Sequence, residues 1–321
     1  MTLSVISAEE VARLLPYEEC IPLMREAMIA LSSGRTRQLL RGIIDLDGGR
    51  AFGVMPGALD GGPFGAKLVS VFPDNFEKGG RSHQGVVALF DPETGAPVAI
   101  LDAGEITAIR TAAASAAATD VIARRDATRL AILGYGEQAW RHVQAIRHVR
   151  SIEQVSVWGR SIDRAVAFAQ RVVETGLDSA AAPNAAAAVS QADIICTVTA
   201  APEPILTSAM VRDGAHINAV GSSRAGPAEI ATDLVARARF FADHREGVLA
   251  QGAEFLRARA EGRIDDDHLL GEIGEVMAGS LPGRLGDTDV TLYKSLGSIL
   301  QDLAAGWHVH ERLSRDNEAG Y

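Results

Sequence analysis

The order of apolar and polar positions changes texture along the chain. Ser7-Ala8-Glu9-Glu10 ahead of Val11, Leu14 and Leu15 is a capping-box pattern that predicts a first helix, and Tyr17 to Leu31 predicts a second. From Arg41 the period shortens. RGIIDL, RAFGVMPG, GAKLVSVF, GVVALFD and APVAILD read as strands, the last two joined by Pro92-Glu93-Thr94-Gly95 as a hairpin turn, and together they predict an antiparallel or mixed sheet. Glu105 to Arg124 predicts a long alanine-rich helix connecting two domains, its small side chains allowing close approach of neighbouring backbone. Beyond it the pattern alternates: strand 129–133, helix 137–149, strand 154–158, helix 161–175, then strands at 193–198 and 215–220. That alternation predicts the α/β class, a parallel sheet covered by helices. Ser179 to Ser190 reads as a short strand or turn entering a helix. Arg239 to Asp243 reads as the last strand, Asp265-Asp266-Asp267 as a solvated loop and Leu292 to Leu313 as a closing helix returning to the first domain.

With 321 residues, 47% of them hydrophobic, the chain can bury a large core and divide into two domains. A formal charge of -10 without a basic cluster argues against nucleic acid as a partner. Cys20 and Cys196 form neither a metal spacing nor a disulfide framework, which fits a reducing compartment. The first residues lack a basic region followed by an apolar core, and no apolar run approaches the ~20 residues that cross a bilayer. These features predict a cytoplasmic protein with no membrane partner and no metal site.

The chemistry concentrates first at Arg129 to Ala139, RLAILGYGEQA, where an apolar strand runs into Gly134-Tyr135-Gly136 and then a helix. Gly134 permits a tight turn, Gly136 lets backbone approach a pyrophosphate, and Ala139 allows close helix–strand packing, with phosphate on the helix N-terminus. An ordinary strand-to-helix turn also uses glycine, but the flanking strand and helix favour a dinucleotide site. The end of the second strand, Val155-Ser156-Val157-Trp158, selects the cofactor, because an acid there would bind a ribose hydroxyl and repel a 2'-phosphate. Gly159-Arg160-Ser161 carries no carboxylate. Arg160 could pair with a phosphate and Ser161 could donate to it, so NADP(H) is favoured and NAD(H) remains the alternative; the competing reading is a solvated Arg160 with Asp163 capping the next helix.

Arg41, Lys67 and Arg110 stand among apolar or small residues, where cations are costly unless they meet an anion. Each alone could be a snorkelling surface charge. Together they suggest a pocket for a small carboxylate. His83, in a glycine-flanked loop, is a candidate proton donor, although lone histidines are more often structural.

With these residues in place, the chain resembles the ornithine cyclodeaminase/mu-crystallin family nearly end to end. The resemblance rests on VMPG (54–57), AKLVSVFPDN (66–75), SHQGVVALFDPETGAPVAILDAGEITAIRTAAASA (82–116), ILGYGEQA (132–139), TVTAAPEPIL (197–206), GAHINAVGSS (214–223) and YKSLGSILQD (293–302). It implies a substrate and dimerisation domain of α+β type over 1–120, completed by 292–321. It also implies a Rossmann NAD(P)-binding domain over 121–291, an active site in the cleft and a homodimer. By the same resemblance Arg41, Lys67 and Arg110 match positions around the substrate carboxylate and the reacting carbon, while Thr111, Gly136, Gln138, Arg160, Ser161, Thr197, Val220 and Leu296 match or adjoin positions lining the cofactor.

The family divides into a lyase that converts ornithine to proline with internally recycled NAD, amino-acid dehydrogenases, and imino-acid reductases. Cyclodeaminases carry an acid where this chain has Gly53, and an aspartate after the Ala219-Val220-Gly221 segment where it has Ser222-Ser223. Both departures favour a reductase of a 2-imino acid, cyclic or linear, with Arg41 and Arg110 clamping the carboxylate and Lys67 protonating the imine nitrogen. The alternatives are the ammonia-releasing lyase and a non-catalytic NADPH- or ligand-binding protein.

Overall fold

The computed structural model describes residues 3–72, 74, 75, 80 and 83–319; the side chains of His83 and of 317–319 lie outside the described set. The chain forms two compact units, Met1–Arg110 with Ser298–Tyr321, and Thr111–Gly297.

The first unit opens with β1 (Ser4–Ile6), α1 (Ala8–Leu14), α2 (Tyr17–Ser32), β2 (Thr36–Gln38) and β3 (Gly42–Leu46). It continues with β4 (Arg50–Leu59), β5 (Phe64–Val71), β6 (His83–Phe90), β7 (Pro97–Asp102) and the start of α3 (Ala103–Ile122). Ser7 caps α1 through the Glu10 backbone N–H while Glu10 reaches back, the capping box expected from the sequence. The strands order as β1-β7-β6-β5-β4-β2, with β3 also on β4. Only β1 runs parallel to its neighbour, so the sheet is mixed.

The C-terminal helix, Ile299–Ala319, packs on this sheet so closely that a Cβ on Gly57 would stand 2.6 Å from Ile299 Cγ2. Glycine there lets the helix approach. Glu19 of α2 holds the same helix through His308 and Arg312, both at 2.6 Å.

The second unit contains the rest of α3, then β8 (Arg129–Leu133), α4 (Glu137–Ile146), β9 (Gln154–Trp158), α5 (Ile162–Val173), β10 (Asp178–Ala181), α6 (Ala185–Val189) and β11 (Ile194–Thr197). After these come β12 (His216–Ala219), α7 (Thr232–Arg237), β13 (Arg239–Ala242), α8 (Arg245–Gln251), α9 (Ala253–Ala260), β14 (Leu269–Glu272), α10 (Ile273–Met277) and β15 (Thr291–Lys294). The strand order is β10-β9-β8-β11-β12-β15-β13-β14, with parallel pairing throughout. This is a doubly wound sheet whose order reverses between β8 and β11, the position where such sheets bind ligands beyond their carboxyl ends. Arg150 donates to the carbonyls of Thr119, Asp120, Ala123 and Arg124, satisfying the C-terminal end of α3.

Two sequence expectations change. Leu292 to Leu313 is not one helix: Thr291–Lys294 is a fully buried strand between β12 and β13, and the helix begins only after Gly297, at φ +82°. Nor is 239–243 the last strand, since β14 and β15 follow. The run Val290-Thr291-Leu292-Tyr293 suits a buried strand as well as a helix, and its length alone decides little. The compact units divide at 110/111, within α3, and at 297/298, whereas the resemblance puts the domain bounds at 120/121 and 291/292.

Cys20 and Cys196 are free, buried thiols, one in each unit. Among the described residues no helix is long and apolar enough to cross a membrane, and no cluster of His, Cys, Asp or Glu is arranged to hold a metal ion.

Candidate functional site

In the second unit, β8 delivers the chain to Gly134, whose φ of +130° is a conformation that L side chains rarely adopt. A Cβ there would also stand 2.9 Å from the Val198 carbonyl oxygen. Gly136 is the N-cap of α4, has no side-chain cap, and would point a Cβ into open space among the described residues. Ala139, in the first turn of α4, is fully buried. The side-chain oxygen of Gln138 is buried without a hydrogen-bond partner among the described residues. An open glycine turn, an uncapped helix start and an orphaned amide oxygen at the sheet's reversal point together suit a dinucleotide pyrophosphate and its sugar.

The loops after β11 and β12 are fixed from behind. Glu229, fully buried, accepts from Thr197 Oγ1 at 2.8 Å, from the Thr199 N–H and hydroxyl at 2.6 and 2.7 Å, and from the Gly221 N–H at 2.7 Å. Burial raises its pKa, against the pull of these donors. Glu254 accepts from the Glu229 N–H at 3.1 Å and pairs with Lys294 at 2.7 Å, both side chains being completely buried. Asp243 likewise accepts the N–H groups of Leu296 and Gly297, at 2.7 and 2.6 Å. Thr197 therefore spends its hydroxyl inward on Glu229, while Val220 and Leu296 keep only a sliver of exposure. Thr111 lies on α3 just past the division between the units and is also buried.

At the tip of β9, a side chain on Gly159 would collide with the Tyr135 ring at 2.3 Å. Arg160 is exposed. Ser161, rather than Asp163, caps α5, accepting from the Arg164 N–H at 3.4 Å; its hydroxyl hydrogen is still available to donate.

In the first unit, β5 places Lys67 opposite Met55 and Val87 in mid-sheet, where it is only 4% exposed. Its ammonium donates to Asp302 Oδ1 at 3.2 Å and to the Thr107 hydroxyl. Arg110, from α3, donates through Nε to that same oxygen at 3.0 Å and through Nη1 to Gln301 at 2.8 Å. The anion that sequence reasoning required of an external ligand is thus partly internal. Burial pulls the Lys67 pKa down to about 8, Asp302 opposing it and Arg110 and Arg41 adding to it. Asp302 is driven up by burial, but Arg110 and Lys67 outweigh this and hold it below the usual carboxylate range. Arg41 is half-buried just before β3, close enough to act on Lys67. Lys67 and Arg110 thus share a single carboxylate oxygen, with Arg41 close to Lys67.

His83 opens β6, and its side chain lies outside the described residues. Gly53 faces Val69, and a Cβ there would come within 3.1 Å of Val69 Cγ1. Ser222 is buried, its hydroxyl donating to the Pro227 carbonyl and its own carbonyl accepting from Lys294. Sequence reasoning missed Asp302, Gln301, Glu229, Glu254, Lys294 and Asp243. The signal available for Asp302 was a carboxylate at 302 between Leu300 and Leu303, and for Lys294 a cation ending an otherwise apolar run.

The family model of the ornithine cyclodeaminase/mu-crystallin family matches residues 1–317. The chain is 34% identical over 312 residues to a Delta(1)-pyrroline-2-carboxylate reductase of Bacillus cereus, covering 96% of each chain. It is 35% identical over 315 residues to the ketimine reductase mu-crystallin of Mus musculus, covering 96% of this chain and 97% of the relative. Among solved structures, Thermococcus litoralis Delta(1)-pyrroline-2-carboxylate reductase in complex with NADH and L-proline superposes with a TM-score of 0.95 at 31% identity over 98% of both chains. With this family match over nearly its whole length, the chain belongs to the ornithine cyclodeaminase/mu-crystallin family.

Proposed function

We propose that this protein reduces the C=N bond of a 2-imino acid with NAD(P)H, giving an L-amino acid. The observation that carries the reading is the buried cluster of Lys67 and Arg110 on one oxygen of Asp302 with Arg41 nearby, around a lysine whose proton is loosened. A bound nicotinamide cofactor supplies the hydride that goes to the imine carbon. Arg41 and Arg110 hold the substrate carboxylate and fix the orientation of that carbon. Because Nε and Nη1 of Arg110 are engaged by Asp302 and Gln301, the carboxylate would meet the Nη2 donors of the guanidinium. Lys67 gives its proton to the imine nitrogen. The C=N double bond thereby gains one hydride and one proton, which balances the reduction.

NADP(H) is the favoured cofactor, since the tip of β9 offers Arg160 and the Ser161 hydroxyl and no carboxylate; NAD(H) is the alternative. The favoured substrate is a cyclic ketimine such as pyrroline-2-carboxylate, the acceptor named for the Bacillus cereus relative. The protein works as a cytoplasmic homodimer in this reading, joined through β3, an exposed edge that carries Ile43, Ile44 and Leu46.

The test is oxidation of NADPH and NADH followed at 340 nm with pyrroline-2-carboxylate, piperideine-2-carboxylate, and pyruvate or oxaloacetate with ammonia. Turnover with one of them supports the reductase and names its substrate. Silence across the panel, with ammonia released from ornithine, would return the protein to the lyase branch despite Gly53 and Ser223. Binding of NADPH with no turnover of either kind would leave the non-catalytic reading.

A further inference from the structure

We propose that Asp302 is a positioning residue of the reaction: by accepting from Lys67 and Arg110 through a single oxygen, it holds the two cations together and keeps Lys67 in the ammonium form that gives up the proton. The inference rests on the reductase reading for its consequence, but not for its geometry.

Lys67 Nζ and Arg110 Nε reach Asp302 Oδ1 at 3.2 and 3.0 Å, so the two nitrogens lie at most about 6 Å apart, a range in which like charges discharge one another unless an anion intervenes. Asp302 is completely buried, and its second oxygen has no hydrogen-bond partner among the described residues, so the carboxylate is dedicated to this contact. The groups around Lys67 come from three further elements. Asp302 stands on the C-terminal helix, Arg110 and the Thr107 hydroxyl on α3, and Arg41 ahead of β3. Cys20, on α2 near Arg110, stays a neutral thiol because burial raises its pKa. Asp302 is therefore the one anion acting on Lys67 among these groups, and removing it leaves Lys67 and Arg110 facing each other with no carboxylate between them.

Asp302→Asn keeps the shape and removes the charge. The limb of kcat/KM that falls as Lys67 deprotonates is expected to move to lower pH by about one unit or more, with NADPH affinity, measured by fluorescence, unchanged. Arg110→Gln removes a like charge and is expected to move the same limb upward, whatever its cost in KM. In Lys67→Arg, whose guanidinium does not titrate in this range, adding Asp302→Asn should leave the profile flat. A lower kcat with the limb fixed in Asp302→Asn, or a fixed limb in Arg110→Gln should Asp302→Asn fail to fold, would overturn the proposal.

Stability gives a reading that needs no turnover. In Asp302→Asn the folded protein would have lost the Lys67 proton that the unfolded chain retains, so its stability should rise relative to the parent as pH increases from about 6.5 to 8. A stability difference that stays constant over that window would overturn the proposal whether or not any imino acid is reduced. A narrowing difference without turnover would keep the proposal and reject the reductase reading.

Discussion

At Lys67 the demands of a proton donor meet in one side chain: enough burial to loosen the proton, and enough negative charge nearby to retain it at neutral pH. Its pKa of about 8 gives the sign directly. In the proposed reduction the protonated form is the active one, so kcat/KM in that direction should fall as pH rises through about 8, and a pH-rate profile checks it. Lys67→Met should lower turnover by about 10²–10⁴-fold while NADPH binding stays near that of the parent, as steady-state rates and fluorescence titration would show. At the tip of β9, Arg160→Asp replaces a cation with an anion where the proposed 2'-phosphate contact lies. The ratio of kcat/KM for NADPH over NADH should drop on the order of tenfold or more, and an unchanged ratio would remove Arg160 from phosphate recognition.

The loops after β11 and β12 show how an element obtains a fixed shape at a strand's end, where the ladder stops. Glu229 takes over with four accepted hydrogen bonds. Glu229→Gln would turn one acceptor oxygen into a donor facing N–H or O–H groups, and Glu229→Ala would leave them all unpaired. Either should cost about 3 kcal/mol in urea denaturation and weaken NADPH binding. This layer explains what could be read from the sequence. The β8 strand, the Gly134–Gly136 turn and α4 are local, with glycine and periodicity marking each step within a few residues. Lys67 and Arg110 stood out because cations interrupt small and apolar neighbours. Their partner Asp302 lies more than 190 positions along the chain from Arg110, and its place between Leu300 and Leu303 hints at burial without saying which cations it meets. The strand at Thr291–Lys294 was hidden for a related reason: a short apolar run takes its identity from the strands beside it, β12 and β13.

For the whole molecule, acid is expected to act through two histidines that the second unit keeps neutral. Burial pulls His142 down to about 4 and His216 to about 3, while both would titrate near 6.5 in the unfolded chain. Below about pH 6.5 the unfolded state binds protons that the folded state refuses, so stability should decline toward pH 4 by up to about 1.4 kcal/mol per pH unit for each histidine. Urea titrations across that range would measure the slope, and His142→Asn should flatten it. Ile44, 59% exposed on the edge strand β3, is expected to be covered in the proposed dimer, so Ile44→Lys should yield monomers by light scattering. The two thiols allow the units to be followed separately. Cys20 and Cys196 are both buried and both pushed toward the unreactive protonated form, so an alkylating reagent meets neither until its own unit opens. Timed alkylation read peptide by peptide would therefore clock the opening of each half of the protein with a natural, built-in label, and would show which half gives way first on heating.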